Sequence, residues 1–231
     1  MNNNSGEITK KIDDLDSKAT EIGAGGNYSP ETNEEKYKER MQKRKAIQKE
    51  RLGIRKSQKS LVIVFTGNGK GKTTASLGMV LRTIGHGHKV AIIQFIKGAW
   101  KTGEEKALKN FSNFINWHSL GEGFTWETQD RVRDKMFVRE AWELAKKYIN
   151  EPTYKLVLLD EINIALKFGY IEAEEIITFI KSLKNQNKHI VLTGRNAPKE
   201  IIEFADLVTE MKSIKHPFKE QGIKAQKCIE Y

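Results

Sequence analysis

Between positions 66 and 74 the chain reads TGNGKGKTT. Gly67, Gly69 and Gly71, separated by Asn68 and Lys70, leave backbone N–H groups able to curl around an anion. Lys72 adds a point charge, and Thr73, followed by Thr74, offers a hydroxyl of the kind that meets magnesium beside a phosphate. The spacing approaches the phosphate-loop pattern G-x-x-x-x-G-K-S/T. It departs at one place: counting back from Gly71-Lys72 puts Thr66 at the first glycine position, with Gly67 one step later. The plain alternative is a glycine-rich turn without a ligand. An apolar run before the loop and a helix-compatible run after it favour the phosphate reading, because a helix start adds its own partial positive charge.

Two more places carry chemistry. Asp160 and Glu161 close the apolar run 156–159, LVLL. An acid at such a strand end helps hold Mg2+ in phosphoryl-transfer proteins, and a second can ligate metal or orient a nucleophile. Surface charge at a strand end is the alternative. Gly121-Glu122-Gly123-Phe124-Thr125-Trp126 sets two glycines beside two aromatic rings. It reads as a loop presenting rings, or as one whose rings fold back into the core; composition alone leans slightly to the second. His86 and His88 stand in a glycine-rich turn, with no further metal-ligand types close by in sequence.

The elements that must position these residues alternate. Strands are expected over 61–65, 89–95, 114–119, 156–159, 190–193 and 206–210. Helices are expected after the phosphate loop, within 97–110, and over 127–150, 172–185 and 198–205. Alternation of this kind indicates an α/β domain with a mostly parallel sheet and helices on both faces. Ligands of such sheets lie at the C-terminal strand ends. The phosphate loop, the acidic pair and Thr193-Gly194-Arg195 would then face one ligand.

Composition bounds the rest. The chain has 231 residues, 38% of them apolar, and a formal net charge of +10. Residues 31–60 hold eleven basic and five acidic residues, so the basic excess is densest just before the core. Nucleic acid, a polyanionic small molecule and a solvated charged helix all fit that excess. Residues 1–30 read as a disordered polar tail. Residues 31–59 read as a charged helix, with Glu34/Lys38 and Glu39/Lys43 at helical spacing and few apolar residues. No apolar run approaches the roughly 20 residues of a membrane span. The N-terminus lacks the apolar segment of a secretory signal. Cys228 is the single cysteine, which excludes an internal disulfide and fits a reducing cytoplasm.

The segments VFTGNGKGKTTA, GHGHKVAIIQFIKG, GFTWET, VLLDEIN, LTGRNAP, ADLVTEM, KHPF and GIKAQKCIEY run in this order from about residue 61 to the C-terminus. In these pieces the chain resembles the corrinoid adenosyltransferases of the CobA/BtuR type, over roughly three quarters of its length. The resemblance implies a P-loop NTPase-like, RecA-like fold over 60–231 with an N-terminal helical lid. It implies transfer of the 5′-deoxyadenosyl group of ATP to cob(I)alamin or cob(I)yrinic acid a,c-diamide, with triphosphate leaving. In that family the GNGKGKT loop grips ATP in the reverse sense to ordinary P-loops, which would account for Thr66.

By the same resemblance, Gly67, Asn68, Gly69, Lys70, Gly71, Lys72, Thr73 and Thr74 wrap the triphosphate. Thr73 and Glu161 hold Mg2+ with Asp160 close by. Phe124 and Trp126 displace the lower ligand of cobalt, and Arg195 meets a phosphate or a corrinoid carboxamide. A flavoprotein or other reductant, a homodimer and a cytoplasmic location are also implied. Three other readings compete: a hydrolytic ATPase or kinase, a RecA-like nucleic-acid module using the basic segment, and a non-catalytic corrinoid carrier. The intact Lys72, Thr73 and acidic pair weigh against the last.

Overall fold

A computed structural model describes residues 3–21, 34–54, 59–96, 102–120, 130–183 and 187–229. Two compact units divide the chain, Met1–Gln58 and Lys59–Tyr231.

The larger unit is built on six strands: β1 (Val62–Thr66), β2 (Lys89–Gln94), β3 (Ile115–Ser119), β4 (Tyr154–Asp160), β5 (His189–Thr193) and β6 (Leu207–Glu210). They lie in the order β3-β2-β4-β5-β1-β6, and every neighbouring pair is parallel. The strands read as continuous apolar runs because both faces are covered. Alternate residues point to opposite faces. Val62, Val64, Ala91, Ile93, Val157, Leu159, Ile190 and Leu192 bury one face against Val138, Ala141, Trp142, Ala145 and Ile149 of α5 (Arg131–Asn150). Ile63, Phe65, Val90, Ile92, Leu156, Leu158 and Val191 bury the other against Leu77, Val80 and Ile84 of α3 (Lys72–Gly85).

Short helices complete the layers: α4 (Gly103–Leu108), α6 (Ile162–Lys167), α7 (Ala173–Ser182), α8 (Lys199–Phe204) and α9 (Pro217–Gln221). The sequence reading placed neither α6 nor α9. Each is only one or two turns long, too short for a helical period to show. At α5 the start is set by Asp130, whose carboxylate accepts the N–H groups of Val132 and Arg133, each at 3.1 Å. Its C-terminus is closed by Lys188, whose ammonium donates to the carbonyls of Tyr148 (2.9 Å) and Glu151 (2.6 Å). Burial pulls the Lys188 pKa down to about 8, with Glu151 opposing the shift.

The smaller unit corrects one expectation. Residues 1–30 read as disordered, yet Asn3–Glu21 forms helix α1. Ile12, Leu15 and Ala19 recur at three- and four-residue spacing, and Leu15 and Ala19 are buried. The stripe is sparse, and the polar residues around it hide its period. The charged helix α2 (Glu34–Ile54) buries no residue completely. Ion pairs Lys11–Glu50 (3.2 Å) and Arg51–Asp16 join the two helices.

Candidate active site

An all-parallel sheet puts every strand's C-terminal end on one edge. β5 separates β1, which feeds the phosphate loop, from β4, which ends in Asp160. Thr193, at the end of β5, therefore stands between loop and acid.

The departure at Thr66 has a structural cause. Thr66 is the last residue of β1 and is buried, and its hydroxyl accepts the N–H of Ala197 at 3.0 Å. The loop proper starts at Gly67, in the left-handed region at φ 94, and ends at Gly71, φ 104. α3 begins directly after Gly71 with no side-chain cap, which leaves its first N–H groups open to an anion. Lys72 is 7% exposed. Its ammonium donates back to the carbonyls of Gly67 (2.9 Å) and Gly69 (2.7 Å), bracing the loop from inside. Burial lowers the Lys72 pKa; Glu161 and Asp160 oppose that, while Arg195 and Lys70 add to it. Asn68, Lys70 and Thr74 are exposed.

On its outer side the loop rests on the chain following β6. The N–H of Gly69 donates to the Met211 carbonyl at 2.6 Å. A Cβ at Gly67 would come within 2.4 Å of that oxygen, and one at Gly69 within 2.7 Å. Glycine here answers to close backbone contact.

Asp160 is 1% exposed and accepts on both oxygens. Oδ1 takes the hydroxyls of Thr73 (3.1 Å) and Thr193 (2.7 Å), and Oδ2 takes the Gln94 amide at 2.9 Å. Glu161 holds a left-handed backbone, φ 62 and ψ 17, at the cap of α6. Its N–H donates to Thr193 Oγ1 at 2.9 Å. The next turn is equally tight: Gly194 has φ 126, and a Cβ there would lie 3.0 Å from the Asn163 Cβ and 3.2 Å from Glu161 Oε2. Asn163, fully buried, donates from Nδ2 to the Gly194 carbonyl at 3.2 Å. Arg195 follows, exposed on the same edge.

The structure thus brings the loop, Asp160, Glu161 and Arg195 together. Phe124 and Trp126 lie outside the described residues. Gln94, Asn163 and Met211 carry no assignment from the sequence, and Thr193 is expected there only to face the ligand. For Gln94 a signal exists, a polar side chain closing an otherwise apolar strand. The site's inner donor set is hydroxyl and carboxylate oxygen, which suits a hard cation such as magnesium. Among the described residues no group of three or more His, Cys, Asp or Glu side chains forms a metal cage. An ion at Thr73 and Asp160 would draw its other ligands from phosphate and water, as magnesium commonly does.

A parallel sheet in this order, a glycine loop opening a helix, and an acid one strand removed define a P-loop, RecA-like nucleotide-binding domain. The profile of the ATP:corrinoid adenosyltransferases BtuR/CobO/CobP matches residues 58–231, and that of the cob(I)alamin adenosyltransferase N-terminal segment matches residues 29–52. The chain belongs to the ATP:corrinoid adenosyltransferase family. It is 48% identical to a corrinoid adenosyltransferase of Sinorhizobium sp, over 91% of this chain and 99% of that protein. The enzyme of the same name from Pseudomonas aeruginosa is 46% identical, over 89% of this chain and 100% of its own. That of Escherichia coli K12 is 38% identical, over 86% and 99%. The protein is accordingly a transferase.

Proposed function

We propose that the protein transfers the 5′-deoxyadenosyl group of ATP to the cobalt of a reduced corrinoid. The electron pair of Co(I) attacks C5′ of the ribose, the Co–C bond forms, and the C5′–O bond breaks. Its electrons leave on triphosphate. Family membership over the whole of the larger unit carries the reading. The loop geometry supports it: Lys72 lies buried within the loop, α3 starts without a side-chain cap, and both would stabilise charge that grows on a leaving triphosphate. No water needs activating in this chemistry, so the residues have two tasks, charge stabilisation and alignment.

In this reading Gly67 through Thr74 wrap the triphosphate, Thr73, Asp160 and Glu161 hold Mg2+, and Arg195 meets a phosphate or a corrinoid amide. Bound there, Mg2+ would neutralise phosphate charge. Phe124 and Trp126 form the apolar wedge that displaces the lower cobalt ligand, easing reduction of Co(II). The basic helix α2 serves as a lid in a homodimer, and a flavoprotein or similar donor supplies the electron in the cytoplasm. Among the described residues no helix is long and apolar enough to cross a membrane.

Mixing ATP with chemically reduced cobalamin tests the reading. Adenosylcobalamin and triphosphate should form in equal amounts, followed by absorbance and by ion chromatography. Steady orthophosphate release in the absence of corrinoid would overturn it in favour of an ATPase.

A further inference from the structure

We propose that Gln94 is a positioning residue for Asp160: its side-chain amide orients the carboxylate toward Thr73 and the nucleotide's metal. The inference rests on the metal reading of Thr73 and Asp160 given above.

Gln94 ends β2, in register with Asp160 on one side and Ser119 on the other. It is 3% exposed, and its Nε2 donates to Asp160 Oδ2 at 2.9 Å. The opposite end of the amide is locked. Oε1 accepts the Ser119 hydroxyl at 2.7 Å and the Trp117 indole N–H at 3.1 Å. An indole nitrogen can only donate, so the atom facing it must be the amide oxygen. Turning the amide over would set NH2 against the indole N–H and oxygen against the carboxylate. The Trp117 N–H also reaches Ser119 Oγ at 3.2 Å, which closes a ring of three side chains, Gln94, Ser119 and Trp117.

The consequence falls on Asp160. Its Oδ2 is held from the β2 side and its Oδ1 from the β5 and α3 sides, so the carboxylate cannot rotate without breaking a bond on each oxygen. Packing alone does not call for this arrangement. An apolar residue would complete the strand without desolvating an amide, as Ile92 and Ile93 do just before it. An amide also differs from an acid at this place: it donates to Asp160 and does not compete with it for a cation.

Gln94→Met keeps the shape and removes the donor. At saturating ATP and Co(I) corrinoid, the Mg2+ concentration for half-maximal adenosylation should rise about tenfold, the scale of lost support behind a metal ligand. The KM for ATP at saturating Mg2+ should stay within about twofold, since the loop is untouched. A second readout needs no turnover: the rise in Tm produced by Mg2+ with ATP should shrink, while that produced by ATP with EDTA should not. Trp117→Phe with Ser119→Ala, which unlocks the amide without altering Gln94, should move both readouts in the same direction by a smaller factor. This pair carries the test should Gln94→Met fail to fold.

Unchanged Mg2+ dependence in either variant overturns the proposal. So does an equal loss of ATP–EDTA protection, which would mark a general packing defect. Wild-type protein is measured alongside. If its adenosylation is independent of Mg2+, the metal reading of the site fails as well. A metal-dependent wild type beside an unaltered variant sinks the role of Gln94 alone.

Discussion

Thr193 Oγ1 donates to Asp160 Oδ1 at 2.7 Å and, with the same oxygen, accepts the N–H of Glu161 at 2.9 Å. One hydroxyl on β5 thereby holds both acids of the neighbouring strand end, one by its side chain and the other by its strained backbone. Thr193→Val preserves the shape and removes the hydroxyl. It leaves a buried carboxylate one donor short and a backbone N–H without its acceptor, a cost of about 1–3 kcal/mol. Urea unfolding should show that loss, with turnover reduced alongside, and Thr193→Ser should recover most of both.

Lys72→Ala removes a buried ammonium that braces the carbonyls of Gly67 and Gly69 and, in the proposed function, meets the triphosphate. The expected loss in kcat/KM for ATP is on the order of 100-fold or more, the scale of one deleted charge-stabilising donor. Steady-state adenosylation measures it. A near-normal value would contradict the assignment of the loop.

Gly69→Ala would drive a Cβ to 2.7 Å from the Met211 carbonyl and 2.8 Å from Lys212 backbone atoms. Backbone cannot swing aside as a side-chain tip can, so the loop must shift and the Gly69–Met211 hydrogen bond must break. Displacement of this size should reduce turnover by about 100-fold. Gly78, within α3 and with open space around it, provides the contrast. Gly78→Ala should stabilise the fold by about 0.5–1 kcal/mol, read from thermal unfolding, with kinetics unchanged.

Asp206 ties the start of β1 to the start of β6. It accepts the Val62 N–H at 2.8 Å and pairs with Lys59. Burial would raise its pKa, but the Lys59 and Val62 hydrogen bonds and the Lys59 charge outweigh that and hold it below the ordinary 3.8. A carboxyl depressed in the folded state adds stability that is present above its unfolded pKa and is lost as pH falls through the folded value. Asp206→Asn should therefore cost about 1 kcal/mol at pH 6. The difference from wild type should close below pH 3.8, as chemical unfolding across that range would show.

Phe124→Ala combined with Trp126→Ala should slow conversion of Co(II) substrate and spare chemically pre-reduced Co(I). Stopped-flow absorbance with each oxidation state separates the two. Equal loss with both would count against the displacement role.

Much of the fold was written in local pattern. The strands over 89–95 and 190–193 were legible because burial on both faces demands unbroken apolar runs, and the loop because phosphate binding demands glycine and lysine at short spacing. The acidic pair stood out as charge at the end of such a run. Helix α1 was hidden, since a stripe as thin as Ile12, Leu15 and Ala19 vanishes among polar neighbours. What tertiary structure alone decided is strand order. Only the placement of β5 between β1 and β4, and of β2 beyond β4, sets Thr193 and Gln94 against Asp160. Those contacts span 33 and 66 residues, and no local rule of period or propensity encodes a pairing at that distance. The same holds for Met211 beneath Gly69: the sequence by itself determined a glycine loop at the end of β1, and the packing of β6 against β1 determined what holds the loop's outer side.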